Sequence, residues 1–231
     1  MEYLSNMYFL LALTFIVYAA SQIIQSRTGW TILNPILVSA IFIIIFLKFT
    51  GIGIETYNEG GKYIEFWLKP AVVALGVPLY KELSAIKKQF IPLIVSELAG
   101  CIVGIISVVL VAQLLGASKE VVLSLAAKSV TTPIAMEVTK AVGGIPSLTA
   151  AVVICVGIFG GMTGFKVMRL THIGSPIAQG ISLGTAAHAM GTSRAMDVSD
   201  KYGAFASLGL TINGIFTALL TPTILEIMGV I

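Results

Sequence analysis

The chain has 231 residues, 57% hydrophobic and 11% charged, with a mean hydropathy of +0.98. Soluble domains carry about 25% charged residues, so this composition excludes a soluble enzyme and assigns the chain to a membrane. A net charge of +3, scattered along the length, excludes a nucleic-acid surface.

A spanning helix needs ~20 mostly apolar residues. In chain order the candidates are Met7–Ile24, Ile32–Phe49, Tyr63–Tyr80, Ile91–Leu115, Ile145–Phe165 and Ala204–Met228. Met1-Glu2-Tyr3 offers no basic n-region, so the first apolar run reads as a retained helix and not a leader. Asn34-Pro35 marks a helix start, and Lys69-Pro70 and Pro78 mark kinks in the third span. Trp30 and Trp67 suit interfacial belts. Cys101 and Cys155 sit in apolar runs without metal-ligand spacing, so they read as free packing thiols, and neither metal nor cofactor is expected. Asn213 and Glu226 read as packing or terminal features.

Two stretches remain, Ser118–Ala141 and Ser175–Asp200, each with a polar interruption between shorter apolar pieces. Basic residues flank the spans at Arg27, at Lys87-Lys88, and at Lys166 with Arg169. With all of these in the cytoplasm, the acidic loop Gly53–Gly60 lies outside and Ser118–Ala141 begins and ends outside. It is then a hairpin that enters and turns back, and Ser175–Asp200 dips in from the cytoplasm, turning near His188–Ser193. The expected fold is therefore all-α and polytopic: six spans and two re-entrant or broken-helix hairpins in one integral membrane domain, 1–231. Ile91-Pro92 precedes Cys101 at the same spacing as Ile145-Pro146 precedes Cys155, which fits an inverted repeat. An alternative register pairs Lys69 and Lys81 with Lys128 and Lys140; it makes the first broken segment a crossing and puts Lys166 and Arg169 outside.

The first interruption reads Lys128-Ser129-Val130-Thr131-Thr132-Pro133. A lysine is costly at membrane depth, and non-helical backbone survives there only inside protein or beside water. One cation, three hydroxyls and the free N–H groups of a half-helix starting at Pro133 describe a site for a small anion. The competing reading is a surface turn with a snorkelling lysine. In the second interruption Gly191 permits a tight turn, while His188, Thr192 and Arg194 are polar. His188 suits proton relay or donation to a carboxylate, and Arg194 suits a bidentate grip; alternatively Arg194 belongs to a solvated loop with Asp197, Asp200 and Lys201. Glu97 and Glu137 are candidates for a coupling ion, or for neutralising Lys128. Nothing pairs a nucleophile with a base, so no enzyme is expected.

Thr50-Gly51-Ile52, Glu55-Thr56-Tyr57, Gly60-Gly61, the run from Lys128 to Glu137, Gly143 to Ala150, and Gly184 to Thr192 together resemble the LrgB/CidB family across essentially the whole chain. That resemblance implies a multi-pass protein of the bacterial cytoplasmic membrane, made beside a small LrgA/CidA-type holin-like partner; a homo-oligomer is compatible with it. The plastid glycolate/glycerate translocator resembles the two joined in one chain, and other relatives are linked to movement of pyruvate and similar short acids. The resemblance thus implies transport of glycolate, glycerate, pyruvate or lactate; the reading of the two interruptions then puts Lys128, Ser129, Thr131, Thr132, Pro133, His188, Gly191, Thr192 and Arg194 at the carboxylate. The family's older label, antiholin-like, implies control of murein hydrolase activity and autolysis. The Lys-Ser-Val-Thr-Thr-Pro form resembles the translocator-like branch.

Overall fold

A computed structural model describes residues 5–28, 30, 33–74 and 80–231, with the backbone alone at 65, 68, 69 and 71–74. Among these residues there are ten α-helices and no strand, an all-α polytopic membrane protein. Packing divides the chain into two units, Met1–Ala74 and Leu75–Ile231.

The first unit contains α1 (Met7–Thr28), α2 (Pro35–Thr50) and α3 (Ile54–Ala74). The Asn34 side chain accepts from the N–H groups of Ile36 and Leu37, and Pro35 opens α2, so the expected helix start forms. Leu10, Ile43 and Leu47 make a small core. Two expectations are corrected by α3. The segment foreseen as an outer loop, Gly53–Gly60, followed by a span from Tyr63, is one helix beginning at Ile54. Gly51, at φ 71°, closes α2, and Glu55 occupies the first turn of α3, where a carboxylate complements the helix dipole. The remainder of that span, 75–79 with Pro78, lies outside the described residues, as do Met1-Glu2-Tyr3.

The second unit contains α4 (Leu83–Lys88), α5 (Phe90–Leu114), α6 (Lys119–Leu125), α7 (Thr132–Val142), α8 (Pro146–Leu170), α9 (Pro176–Met196) and α10 (Asp200–Ile227). Of the six expected spans, α1, α5, α8 and α10 are long and apolar enough to cross a membrane; α2 is apolar but has only 16 residues. Their outward faces carry residues such as Val103, Leu110, Phe159 and Leu219, as suits contact with hydrocarbon.

Both interrupted stretches are hairpins. Within α9, Ala187 (φ −127°, ψ 16°) and His188 (φ 44°, ψ −134°) leave helical geometry. Ahead of this kink Gly180 packs on Tyr202 and Phe205, and Gly184 on Ala206 and Leu210. Beyond it the Thr192 hydroxyl reaches the Ala206 carbonyl at 3.4 Å, and Met196 lies on Gly203. The first half of α9 therefore advances along α10 and the second half retraces it. The reversal falls at Ala187–His188, the near edge of the turn foreseen at His188–Ser193. Gly191 makes it possible: a Cβ there would lie 2.1 Å from the Leu183 carbonyl oxygen.

For the other hairpin, Thr131 precedes α7 and Pro133 occupies its first turn, so Pro133 starts the second half-helix. Val122, Leu123 and Val142 pack with Ile224, Leu225 and Val230 near one end of α10, whereas Ile134 lies over Gly214. Both roots of the hairpin thus share one end of α10 and its break reaches toward the middle, which removes the alternative in which this segment crosses. Eleven residues of α7 rise ~16 Å, about half of a ~30 Å hydrocarbon core. Its root is fixed by the Ile145 N–H donating to Ser124 Oγ at 2.7 Å and the Thr149 hydroxyl donating to the Ser124 carbonyl at 2.9 Å.

Candidate functional site

The two hairpins enter from opposite ends of α10, and their turns meet beside its midpoint. Asn213 is the fourteenth of 28 residues in that helix, ~20 Å from its start at 1.5 Å per residue. Its Nδ2 donates to the Thr185 carbonyl at 3.0 Å and to the Ser129 carbonyl at 3.4 Å. One side chain thus ties backbone oxygens of both interrupted segments. Interrupted helices leave carbonyls without intrahelical partners, and in a membrane these need a donor from elsewhere.

Around this junction lies a cavity of about 340 Å³, lined from α5 by Ser96, Glu97 and Cys101, from the first break by Lys128 and Ser129, from α9 by Thr185, and from α10 by Asn213 and Thr217. A water's share of liquid volume is ~30 Å³, so a short acid fits with several waters. Lys128 is half-buried and donates to Ser129 Oγ at 3.1 Å; among the described residues no carboxylate stands within ion-pair distance of it. Glu97 is 0% exposed, with Oε1 accepting from the Thr185 hydroxyl. Cys101 Sγ lies 3.4 Å from Thr217 Oγ1, and α5 runs parallel to α10 along this contact.

Of the residues singled out from sequence, Lys128, Ser129 and Glu97 come together at the cavity. Thr131, Thr132 and Pro133 form the start of α7 outside the lining. His188 does not line it either. Its ring is buried, 4% exposed, with Nε2 donating to the Val153 carbonyl at 2.9 Å, because the left-handed backbone at the kink turns the side chain toward α8. Thr192 is buried and donates to the His188 carbonyl at 2.9 Å, and Gly191 is consumed by close packing. Arg194 is 52% exposed and contacts Asp197 at 3.4 Å, the solvated-loop alternative. Glu137 is exposed and does not pair with Lys128.

Sequence reasoning read Asn213 as a packing or terminal feature and passed over Thr185 and Thr217. A usable signal was present for the first: a lone amide in the middle of an apolar span is costly unless it has partners.

The profile of the LrgB-like family matches residues 14–227. The chain is 32% identical over 224 residues to the holin-like protein CidB of Staphylococcus epidermidis, covering 97% of each. It is 35% identical over 218 residues to the uncharacterized protein YwbG of Bacillus subtilis, covering 94% of this chain and 97% of that one. It is 31% identical over 223 residues to the antiholin-like protein LrgB of Bacillus cereus, covering 96% and 97%. No solved structure matches it.

Proposed function

This chain belongs to the LrgB-like family, and on that premise we propose that it is a secondary transporter of small monocarboxylates in the bacterial cell membrane. The observation that carries the proposal is the cavity where two interrupted helices converge on Asn213, with the Lys128 ammonium free of any carboxylate partner among the described residues. Lys128 supplies the charge that selects an anion; Ser129, Thr185 and Asn213 supply neutral polar groups around it. Hydrogen bonds to a charged group contribute ~1.5–3 kcal/mol each, so a few of them hold a short acid weakly enough to release it. Further support is the helix-plus-hairpin unit that occurs twice, α5 with α6 and α7, then α8 with α9, entering from opposite sides as inverted-repeat transporters do.

The names of the relatives favour a second reading more directly. Holin-like and antiholin-like proteins suggest a chain that controls a small LrgA/CidA-type membrane partner and, through it, murein hydrolase activity. That role needs packing surfaces and no anion site.

Uptake of labelled glycolate and pyruvate into proteoliposomes, with and without the small partner, separates the readings. Transport predicts saturable uptake that Lys128→Ala abolishes. Undiminished uptake in Lys128→Ala removes the anion site, and no uptake of any short acid, with autolysis altered in cells lacking the chain but not in cells carrying Lys128→Ala, favours the second reading.

A further inference from the structure

Glu97 is wholly buried, yet its Oε2 has no hydrogen-bond partner among the described residues. The Thr185 hydroxyl lies within bonding reach of both Glu97 Oε1 and, at 2.8 Å, the Ile181 carbonyl. A hydroxyl carries one hydrogen, so it satisfies only one of the two. Donated to Ile181, it leaves Thr185 Oγ1 as acceptor for a proton held on Glu97; donated to Glu97, it leaves Oε2 bare. An ionised carboxylate with a desolvated, unpartnered oxygen is costly; in the empty cavity the Lys128 charge offsets that cost, and once a bound anion engages Lys128, protonation removes it.

The cavity holds a second charge, Lys128. With both side chains ionised it is neutral; a monocarboxylate entering alone leaves one uncompensated negative charge at membrane depth. A proton on Glu97 cancels it. We infer that Glu97, held by Thr185, takes up one proton with each carboxylate bound at Lys128, so that empty and loaded cavities cross with the same net charge. The inference rests on the transport reading above. The proton comes from water on the entry side, resides on the Glu97 carboxylate, and leaves to water on the exit side with the substrate; no other bond changes. The titratable groups sharing the cavity are Lys128 from the first break and Cys101 from α5, whereas α9 and α10 present Ser182, Thr185, Asn213 and Thr217, all neutral.

The test uses proteoliposomes of the full chain, with protein-free liposomes as blank for diffusion of the neutral acid. An inward gradient of one pH unit is expected to accumulate labelled glycolate about tenfold in wild type, with no effect of a potassium–valinomycin potential. Glu97→Gln, which imitates the protonated carboxyl, is expected to retain exchange of labelled for unlabelled glycolate and to lose pH-driven accumulation. Should Glu97→Gln fail to exchange, a lumenal pH dye in wild type decides: one proton entering per glycolate upholds coupling, and none overturns it. Accumulation by Glu97→Gln equal to wild type, or wild-type uptake driven by a sodium gradient and indifferent to pH, overturns the assignment while transport stands. Absence of any exchange in wild type overturns the transport reading itself.

Discussion

Asn213 holds Thr185 through a 3.0 Å hydrogen bond from its amide to the Thr185 carbonyl, and the same nitrogen reaches Ser129 on the opposite hairpin at 3.4 Å. Replacing it by alanine orphans both half-buried carbonyls, at up to ~1–3 kcal/mol each. Replacing it by aspartate sets an acceptor against them and is worse. Asn213→Ala is expected to lower thermal stability in detergent measurably, Asn213→Asp more so, and both to reduce glycolate uptake; equal stability of Asn213→Asp and wild type would show that the amide does not join the hairpins.

Gly180 and Gly184 form a small-xxx-small pair on the face of α9 that meets α10. A Cβ on Gly184 would lie 2.0 Å from the Ala206 carbonyl oxygen and 2.9 Å from the Leu210 nitrogen, both backbone atoms that cannot turn aside. Overpacking of this kind costs ~1–3 kcal/mol or more. Gly184→Ala is therefore expected to lose folded protein, whereas Gly161→Ala, whose nearest neighbour is 3.7 Å away, is expected to express normally. Size-exclusion profiles of the two variants make the comparison.

Because the His188 ring bonds the Val153 carbonyl and does not line the cavity, its replacement is expected to change stability and not substrate affinity. His188→Ala removes that bond, worth ~1 kcal/mol, and opens a void beside Gly157, whose position is filled by the ring. A lower melting temperature with KM for glycolate changed less than about twofold is expected; a tenfold rise in KM would make His188 a ligand.

Much of this was legible in the sequence, and the parts that were not have physical reasons. Pro133 and Lys128 announced the first hairpin because both are expensive in a continuous membrane helix. The second was visible as a run of small residues, and its reversal falls at the near edge of the foreseen His188–Ser193, on a residue type that rarely adopts positive φ. The site was only half visible: charges stand out against an apolar background, whereas Thr185, Thr217 and Asn213 acquire their role from neighbours 28 to 116 residues away. Arg194 attracted attention for its charge, but local sequence gives no measure of depth, and it lies exposed in the last turn of α9. The loop Gly53–Gly60 was misread since its charges suggested solvent, whereas Glu55 sits in the first turn of a helix that begins at Ile54.

Cys101 offers a probe of occupancy. It is 3% exposed and lines the cavity, while Cys155 is exposed on the outside of α8. In a Cys155→Ser background, a small methanethiosulfonate reagent is expected to modify Cys101 slowly, and saturating glycolate to slow it several-fold further by filling the same space. Acetamide, neutral and of similar size, should give no protection on the proposed reading, in which Lys128 selects for charge. Equal protection by both would place the binding energy elsewhere than on the ammonium.

The hairpin of α6 and α7 makes a prediction about sidedness that a crossing segment cannot share. Lys119 and Lys140 flank it, both exposed, and both lie at the end of the second unit where α5 finishes and α8 begins. Lys87 and Lys166 are exposed at the other end, which the positive-inside rule assigns to the cytoplasm. In a background with Cys101 and Cys155 replaced, cysteines at 119 and 140 are expected to react with a membrane-impermeant maleimide on intact cells. Cysteines at 87 and 166 are expected to react only after permeabilisation. Were 119 and 140 to label from opposite sides, α6 and α7 would together cross the bilayer, the turn at Lys128 would no longer face the turn of α9 from the opposite side, and the cavity would lose its charge.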